Sequence, residues 1–156
     1  MWELSDDGFF YHVQFPEYSA TSFSKTDLDF LWPSIIHLMK AALYDCKDLY
    51  TPEDCRAAIE QGQAQLFVFY YDAEPVGIVC SELRKTPNSA FVHILGMAGD
   101  FSVAHSFSDV FETWARMNGA ASVSAVCTES RARLFRRVYG FDISRRYIVK
   151  NLGEAK

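Results

Sequence analysis

Residues 66–100 read LFVFYYDAEPVGIVCSELRKTPNSAFVHILGMAGD. The apolar, aromatic opening suits a strand over 65–72. An acidic turn, Asp72–Pro75, follows, then a second strand over 75–84 that starts Val76-Gly77-Ile78-Val79. Lys85–Asn88 carries hairpin-turn chemistry in Pro87 and Asn88 and leads into a third strand over 89–97. Both connections are short enough for antiparallel pairing. The third strand runs into a glycine-spaced loop, Gly96-Met97-Ala98-Gly99-Asp100-Phe101-Ser102, ahead of a long amphipathic pattern. A strand ending in a glycine loop at a helix N-terminus is a place to hold a phosphate, because free N–H groups and the helix dipole both favour an anion.

Working upstream, Thr51-Pro52-Glu53-Asp54 is a helix start: Thr51 caps, Pro52 fits the first helical position, and the acids suit the positive end of the dipole. That helix runs to about Gln61, where Gly62 stops it. An earlier helix is expected to begin near Trp32-Pro33, with Leu31, Ile35, Leu38, Met39 and Ala42 as its buried stripe and His37 on its solvated side. Phe9–Phe15 has strand composition and Pro16 ends it. Residues 1–27 read as an N-terminal extension, too rich in aromatics for a free tail. It either packs on the core or forms an interface, a homodimer included.

Downstream, a helix is expected over 102–118 with Val103, Phe107, Val110, Phe111, Trp114 and Met117 on its apolar face and Gly119 at its end. A strand over 121–127, a short helix over Arg131–Val138 capped by Thr128 or Ser130, and a last strand over Phe141–Val149 complete the chain. The strand–helix–strand unit from 90 to 127 requires parallel strands joined by a crossover. The fold class is therefore α/β (α+β), a single domain with a mixed, mostly antiparallel central sheet and helices on both faces.

A chain of 156 residues with 49% apolar content suits one core. No apolar run approaches the ~20 residues needed to span a bilayer, and no charged-then-apolar leader pattern opens the chain. Cys46, Cys55, Cys80 and Cys127 show no metal-ligand spacing, so reduced thiols in a cytoplasmic protein are expected and no metal site is assigned. The net charge of −5 conceals an asymmetry. Arg131, Arg133, Arg136, Arg137, Arg145, Arg146 and Lys150 crowd one segment that holds a single acid, Asp142. They form either a solvated face or a positive field toward an anionic ligand. The acidic balance of the whole argues against nucleic acid.

The order of elements resembles the GNAT superfamily of acyl-CoA-dependent N-acyltransferases over about Leu31 to Leu152. The turn Asp72-Ala73-Glu74-Pro75-Val76-Gly77 looks like that family's turn between its second and third strands. The strand–loop–helix over 90–118 stands where the family holds acetyl-CoA. Ala132-Arg133-Leu134-Phe135 followed by Gly140-Phe141 looks like its AxxLY…GF segment. More narrowly, Tyr50–Asp54 and Gln63–Leu66 look like GNAT-like proteins of tailed bacteriophages, which would place the chain in the host cytoplasm. The resemblance implies acetyl-CoA as cosubstrate, held by Leu95, Gly96, Met97, Gly99, Asp100, Phe101, Ser102 and Val103, with Arg131 and Arg133 meeting a phosphate. It also implies an amine or protein acceptor. Two departures stand out. The loop lacks the family's arginine or glutamine, and Asp100 near phosphate oxygens would be repelled by about 4 kcal/mol at ~4 Å and an effective dielectric of ~20 unless it turns away as the helix N-cap. Arg136 occupies the position where the family often has a tyrosine that protonates the leaving thiolate, and Tyr139 lies one helical turn away.

Acyl transfer from a thioester to an amine needs a base for the amine, a donor for the oxyanion and an acid for the thiolate. Glu82 and His93 are the candidate bases, each otherwise an ordinary strand residue. Tyr139 is the candidate acid, otherwise a core aromatic beside Phe141. Cys127 is either a nucleophile at a strand end or a small buried thiol. Backbone amides at the end of the 90–97 strand suit the acyl oxygen, and those of 99–103 the pyrophosphate. The competing reading is a non-catalytic GNAT-like module that binds another protein, such as a virion component or an inhibitor of a host factor.

Overall fold

Leu66, Phe67, Val68 and Phe69 are all fully buried, which a strand achieves only when both of its faces are covered. The computed structural model describes residues 10–15, 19–22, 25–71, 73–99, 104–143, 145 and 148–153. In it, β3 (Gln65–Tyr71) is an inner strand of a six-stranded sheet. The other strands are β1 (Phe10–Phe15), β2 (Ser19–Ser22), β4 (Glu74–Thr86), β5 (Ser89–Gly99) and β6 (Ser122–Ala125), in the order β2-β1-β3-β4-β5-β6. β3, β4 and β5 form the antiparallel trio that the sequence predicts. β1 joins β3 in parallel and carries β2 on its outer edge, so residues 10–15 and 19–22 of the extension belong to the sheet.

Alternation along the strands divides the interior in two. Leu66, Val68, Ile78, Cys80 and Leu95 pack beneath α1 (Lys25–Ala42) and α2 (Pro52–Glu60). Phe67, Phe69, Val79, Val92, Ile94 and Met97 pack beneath α3 (Ala104–Met117) and α4 (Glu129–Tyr139). Phe67 sits edge-on to Phe111 and Trp114, with ring centroids 5.2 and 5.0 Å away. β5, α3 and β6 form the expected crossover, and β6 runs parallel to β5.

Four expectations are corrected. α1 begins at Lys25, and Pro33 lies inside it. The extra turns add Leu28 and Trp32 to the stripe of Ile35, Met39 and Ala42, and all five are buried. Burying two such side chains at about 1.5–3 kcal/mol each offsets the roughly 3 kcal/mol cost of an internal proline. Next, β5 continues to Gly99, so Gly96, Met97 and Ala98 are strand rather than loop. Met117 is exposed, because Ala115 takes the buried place beside Trp114 at the end of α3. Finally, no strand follows α4 among the described residues. Ile148 and Val149 are 89% and 72% exposed, and an alternating pattern becomes a strand only where a neighbouring edge receives it. α2 starts as expected, with a full capping box: Asp54 N donates to Thr51 Oγ1 and Thr51 N to Asp54 Oδ2.

Gly96 has a packing reason. Cys80 pairs with Gly96 but Ser81 pairs with Ile94, so Leu95 is an extra residue in β5, a β-bulge. The bulge turns both Leu95 and position 96 toward α1. A Cβ on residue 96 would stand 2.9 Å from Leu43 Cδ2 and 3.1 Å from both Ala42 Cβ and Ala42 O. The glycine thus lets the end of α1 approach the sheet.

Candidate functional site

The alternation that builds the core also sorts the site candidates. Val92 and Ile94 belong to the core under α3 and α4, so His93 between them faces the α1–α2 side. Leu83 packs in that same core, which puts Glu82 and Arg84 on the face of His93. The register makes Glu82 the direct cross-strand partner of His93, and His93 the partner of Ser124 on β6. His93 Nδ1 lies 2.9 Å from Ser124 Oγ. Glu82 is occupied by Arg84, which donates from Nε and Nη2 to Oε2 at 2.9 and 2.8 Å. Half-burial, and then the Arg84 guanidinium, hold the His93 pKa below the ordinary histidine value, with Glu82 pulling the other way. The imidazole is therefore neutral at neutral pH and able to take a proton, whereas the Glu82 carboxylate is already engaged by a cation.

Immediately beyond this row the sheet opens. β5 and β6 pair from Phe91 and Ser122 to Ile94 and Ala125 and then part. The fork holds a narrow cleft lined by Leu95, Gly96 and Met97 on one side and Ala125, Val126 and Cys127 on the other. Backbone groups in a fork lose their ladder partners and must find others. Cys46 Sγ meets the Leu95 carbonyl at 3.5 Å, and Arg131 Nη1 donates to the Met97 carbonyl at 3.5 Å. Arg131 also pairs with Asp45, Nε to Oδ2 at 3.2 Å, and Thr128 Oγ1 donates to that same oxygen at 3.3 Å. Thr128 occupies the N-cap position of α4 without capping it through its side chain, since its hydroxyl serves Asp45. Asp45, Arg131 and Thr128 thus tie the segment after α1 to the start of α4 across the cleft.

Tyr139 lies on the opposite face. It lines a second, small apolar pocket with Val79, Ile94, Met97, Phe111 and Phe141, where burial pushes its phenol up to about 12. The sheet therefore separates Tyr139 from Glu82 and His93. Cys127 edges the first cleft, where burial and then Asp45 push its thiol up against the pull of Arg131, which disfavours the thiolate. All four cysteines are free thiols. Arg133 is exposed and paired with Glu129, whereas Arg131 reaches the cleft. Gly99 pairs with Gly77 at the strand end. Asp100, Phe101, Ser102 and Val103 lie outside the described residues.

Three participants escaped sequence reasoning. Ser124 shares the face of His93 through the register of β5 and β6, a signal legible only once that register is known. Arg84 shares a strand face with Glu82 at a spacing of two, but the ion pair between them is seen only in the structure. Asp45 carries no sequence signal, since 83 residues separate it from Thr128.

No protein-family model matches the chain, and no curated protein matches its sequence. Solved structures do match. One is an aminoglycoside acetyltransferase from an uncultured soil metagenomic sample, in complex with trehalose, at 16% identity and a TM-score of 0.60, covering 86% of this chain and 93% of that one. A second is an aminoglycoside N-acetyltransferase in complex with CoA, at 14% identity and a TM-score of 0.60, covering 79% and 89%. A third is a ribosomal-protein-alanine N-acetyltransferase from Brucella melitensis biovar Abortus 2308, at 12% identity and a TM-score of 0.58, covering 83% and 96%. At these identities the likeness establishes the fold, which is GNAT-like.

Proposed function

We propose that this protein is an N-acetyltransferase that moves the acetyl group of acetyl-CoA to an amine, acting as one domain in the cytoplasm. The observation that carries the reading is the fork between β5 and β6, with a neutral histidine at its base on one face. An extended thioester arm fits such a fork, because its amides complement the Leu95 and Met97 carbonyls that Cys46 and Arg131 now meet. The fold neighbour in complex with CoA supports the same cosubstrate class.

In this reading His93 removes the proton from the acceptor amine, and Glu82 offsets part of the positive charge that then forms on the imidazole. Backbone N–H groups of the bulged stretch around Leu95 and Gly96 face the developing oxyanion. The amine attacks the acetyl carbonyl carbon, the C–S bond breaks, and the CoA thiolate takes up the proton that His93 removed, which returns the imidazole to its neutral form. Titration calorimetry with acetyl-CoA, followed by thiol release in the presence of a panel of amines, tests the assignment. Absence of binding at millimolar acetyl-CoA would sink it.

One observation favours a second reading, a non-catalytic module that binds protein and belongs with the phage GNAT-like group. The Asp45–Arg131 pair sits in the cleft, as expected of a fold whose cofactor site has been closed. Acetyl-CoA binding unaffected by this pair, with turnover, excludes that reading.

A further inference from the structure

We propose that Ser124 is a positioning residue that holds His93 in the Nδ1–H tautomer, leaving Nε2 as the only ring nitrogen able to take a proton from an acceptor. The inference rests on the acetyltransferase reading for the identity of that acceptor, but not for the tautomer itself. His93 and Ser124 are register partners on adjacent parallel strands, at the last-but-one pair before the sheet forks. Their contact, Nδ1 to Oγ at 2.9 Å, is a full hydrogen bond. Among the described residues Nε2 has no hydrogen-bond partner.

A neutral imidazole has one N–H and one lone pair, and the partner of one nitrogen decides the task of the other. A serine oxygen accepts from Nδ1–H both when the ring is neutral and after Nε2 has been protonated. No rearrangement at Nδ1 is then needed during the transfer. The opposite sense, Ser124 donating to Nδ1, would place the proton on Nε2 and remove the base from the open side. The neighbouring charges leave this choice to Ser124: Arg84 and Glu82 act on the total charge of the ring, and neither hydrogen-bonds to it among the described residues. Ser124 therefore does not touch the reacting atoms. It governs which nitrogen meets them.

The test is nitrogen-15 NMR of the His93 side chain in the full chain, alongside thiol release from acetyl-CoA with 1,4-diaminobutane as the probe amine. The wild type is expected to show an unprotonated Nε2 and a protonated Nδ1 above the histidine pKa. Ser124→Ala should return the ring to mainly Nε2–H and lower kcat by roughly 10- to 100-fold with little change in KM, within the 10²–10⁴-fold that a positioned base supplies. Ser124→Thr keeps a hydroxyl on a β-branched strand residue and should restore both the tautomer and the rate. An Nε2–H tautomer in the wild type, or a tautomer unchanged in Ser124→Ala, overturns the proposal. Absence of wild-type turnover with the Nδ1–H tautomer in place overturns the acetyltransferase reading and leaves the positioning role standing.

Discussion

Replacing Gly96 with alanine separates two explanations for the same glycine. If the residue exists to let a phosphate approach, Gly96→Ala should weaken acetyl-CoA binding and leave the apo protein as stable as before. The structure supports the other outcome. The new methyl group would stand 2.9 Å from Leu43 Cδ2 and 3.1 Å from both Ala42 Cβ and the Ala42 carbonyl oxygen. Leu43 ends in a movable methyl group, whereas the carbonyl belongs to the last residue of α1 and cannot yield without shifting the helix. Overpacking of this kind costs about 1–3 kcal/mol. Removing a glycine also narrows the unfolded ensemble, which returns about 0.4–1 kcal/mol. The net loss is about 1.3 kcal/mol, and for a chain of this length each kcal/mol moves Tm by about 2–4 °C. A fall of about 3–5 °C in the apo protein is therefore expected in a thermal melt. The same substitution in a Leu43→Ala background should cost less, because the closest contact is gone; Leu43→Ala alone should cost about 2–5 kcal/mol. An unchanged apo Tm in Gly96→Ala, with acetyl-CoA binding abolished, would refute the packing argument.

Asp45→Asn removes the charge that holds Arg131 and accepts from Thr128, and should cost about 1–2 kcal/mol in urea unfolding. The loss should shrink in an Arg131→Met background, since no unpaired guanidinium then remains. His93 makes stability depend on pH in a definite direction. Its folded pKa lies below 6.5, so the unfolded chain binds more protons as pH falls through 6.5. The contribution is fully present above that pH and is lost as pH drops below it. The fall in Tm between pH 7 and 5 should be shallower in His93→Gln. Thr51→Ala removes the hydroxyl that accepts from Asp54 N, one arm of the capping box on α2, and should cost about 1 kcal/mol by urea titration.

Local chemistry was legible wherever a few adjacent residues settle a conformation. The helix start at Thr51–Asp54 and the Pro87–Asn88 hairpin stand where the sequence predicts, and Gly140 with its left-handed φ of 72° closes α4. The apolar run at Leu66–Phe69 marked a strand, and the structure adds that both of its faces are covered. Boundaries failed where packing overrides punctuation. Pro33 reads as a helix start, yet Leu28 and Trp32 extend the buried stripe to five residues before it. Gly96 and Gly99 read as a loop, yet pairing with β4 carries the strand through both. Phe141–Val149 reads as a strand, yet its described residues form none.

The sequence alone determined the order of elements from α1 to α4 and the antiparallel trio between residues 65 and 99, because turn chemistry and periodicity act over a few residues. It also named Glu82 and His93, because those residue types suit proton transfer. Only the tertiary structure decided what they face. A sheet register one residue off turns every side chain to the other side. The register found here puts His93 against Ser124 and Glu82, sets Tyr139 behind the sheet, and brings Asp45 to Arg131 across the fork.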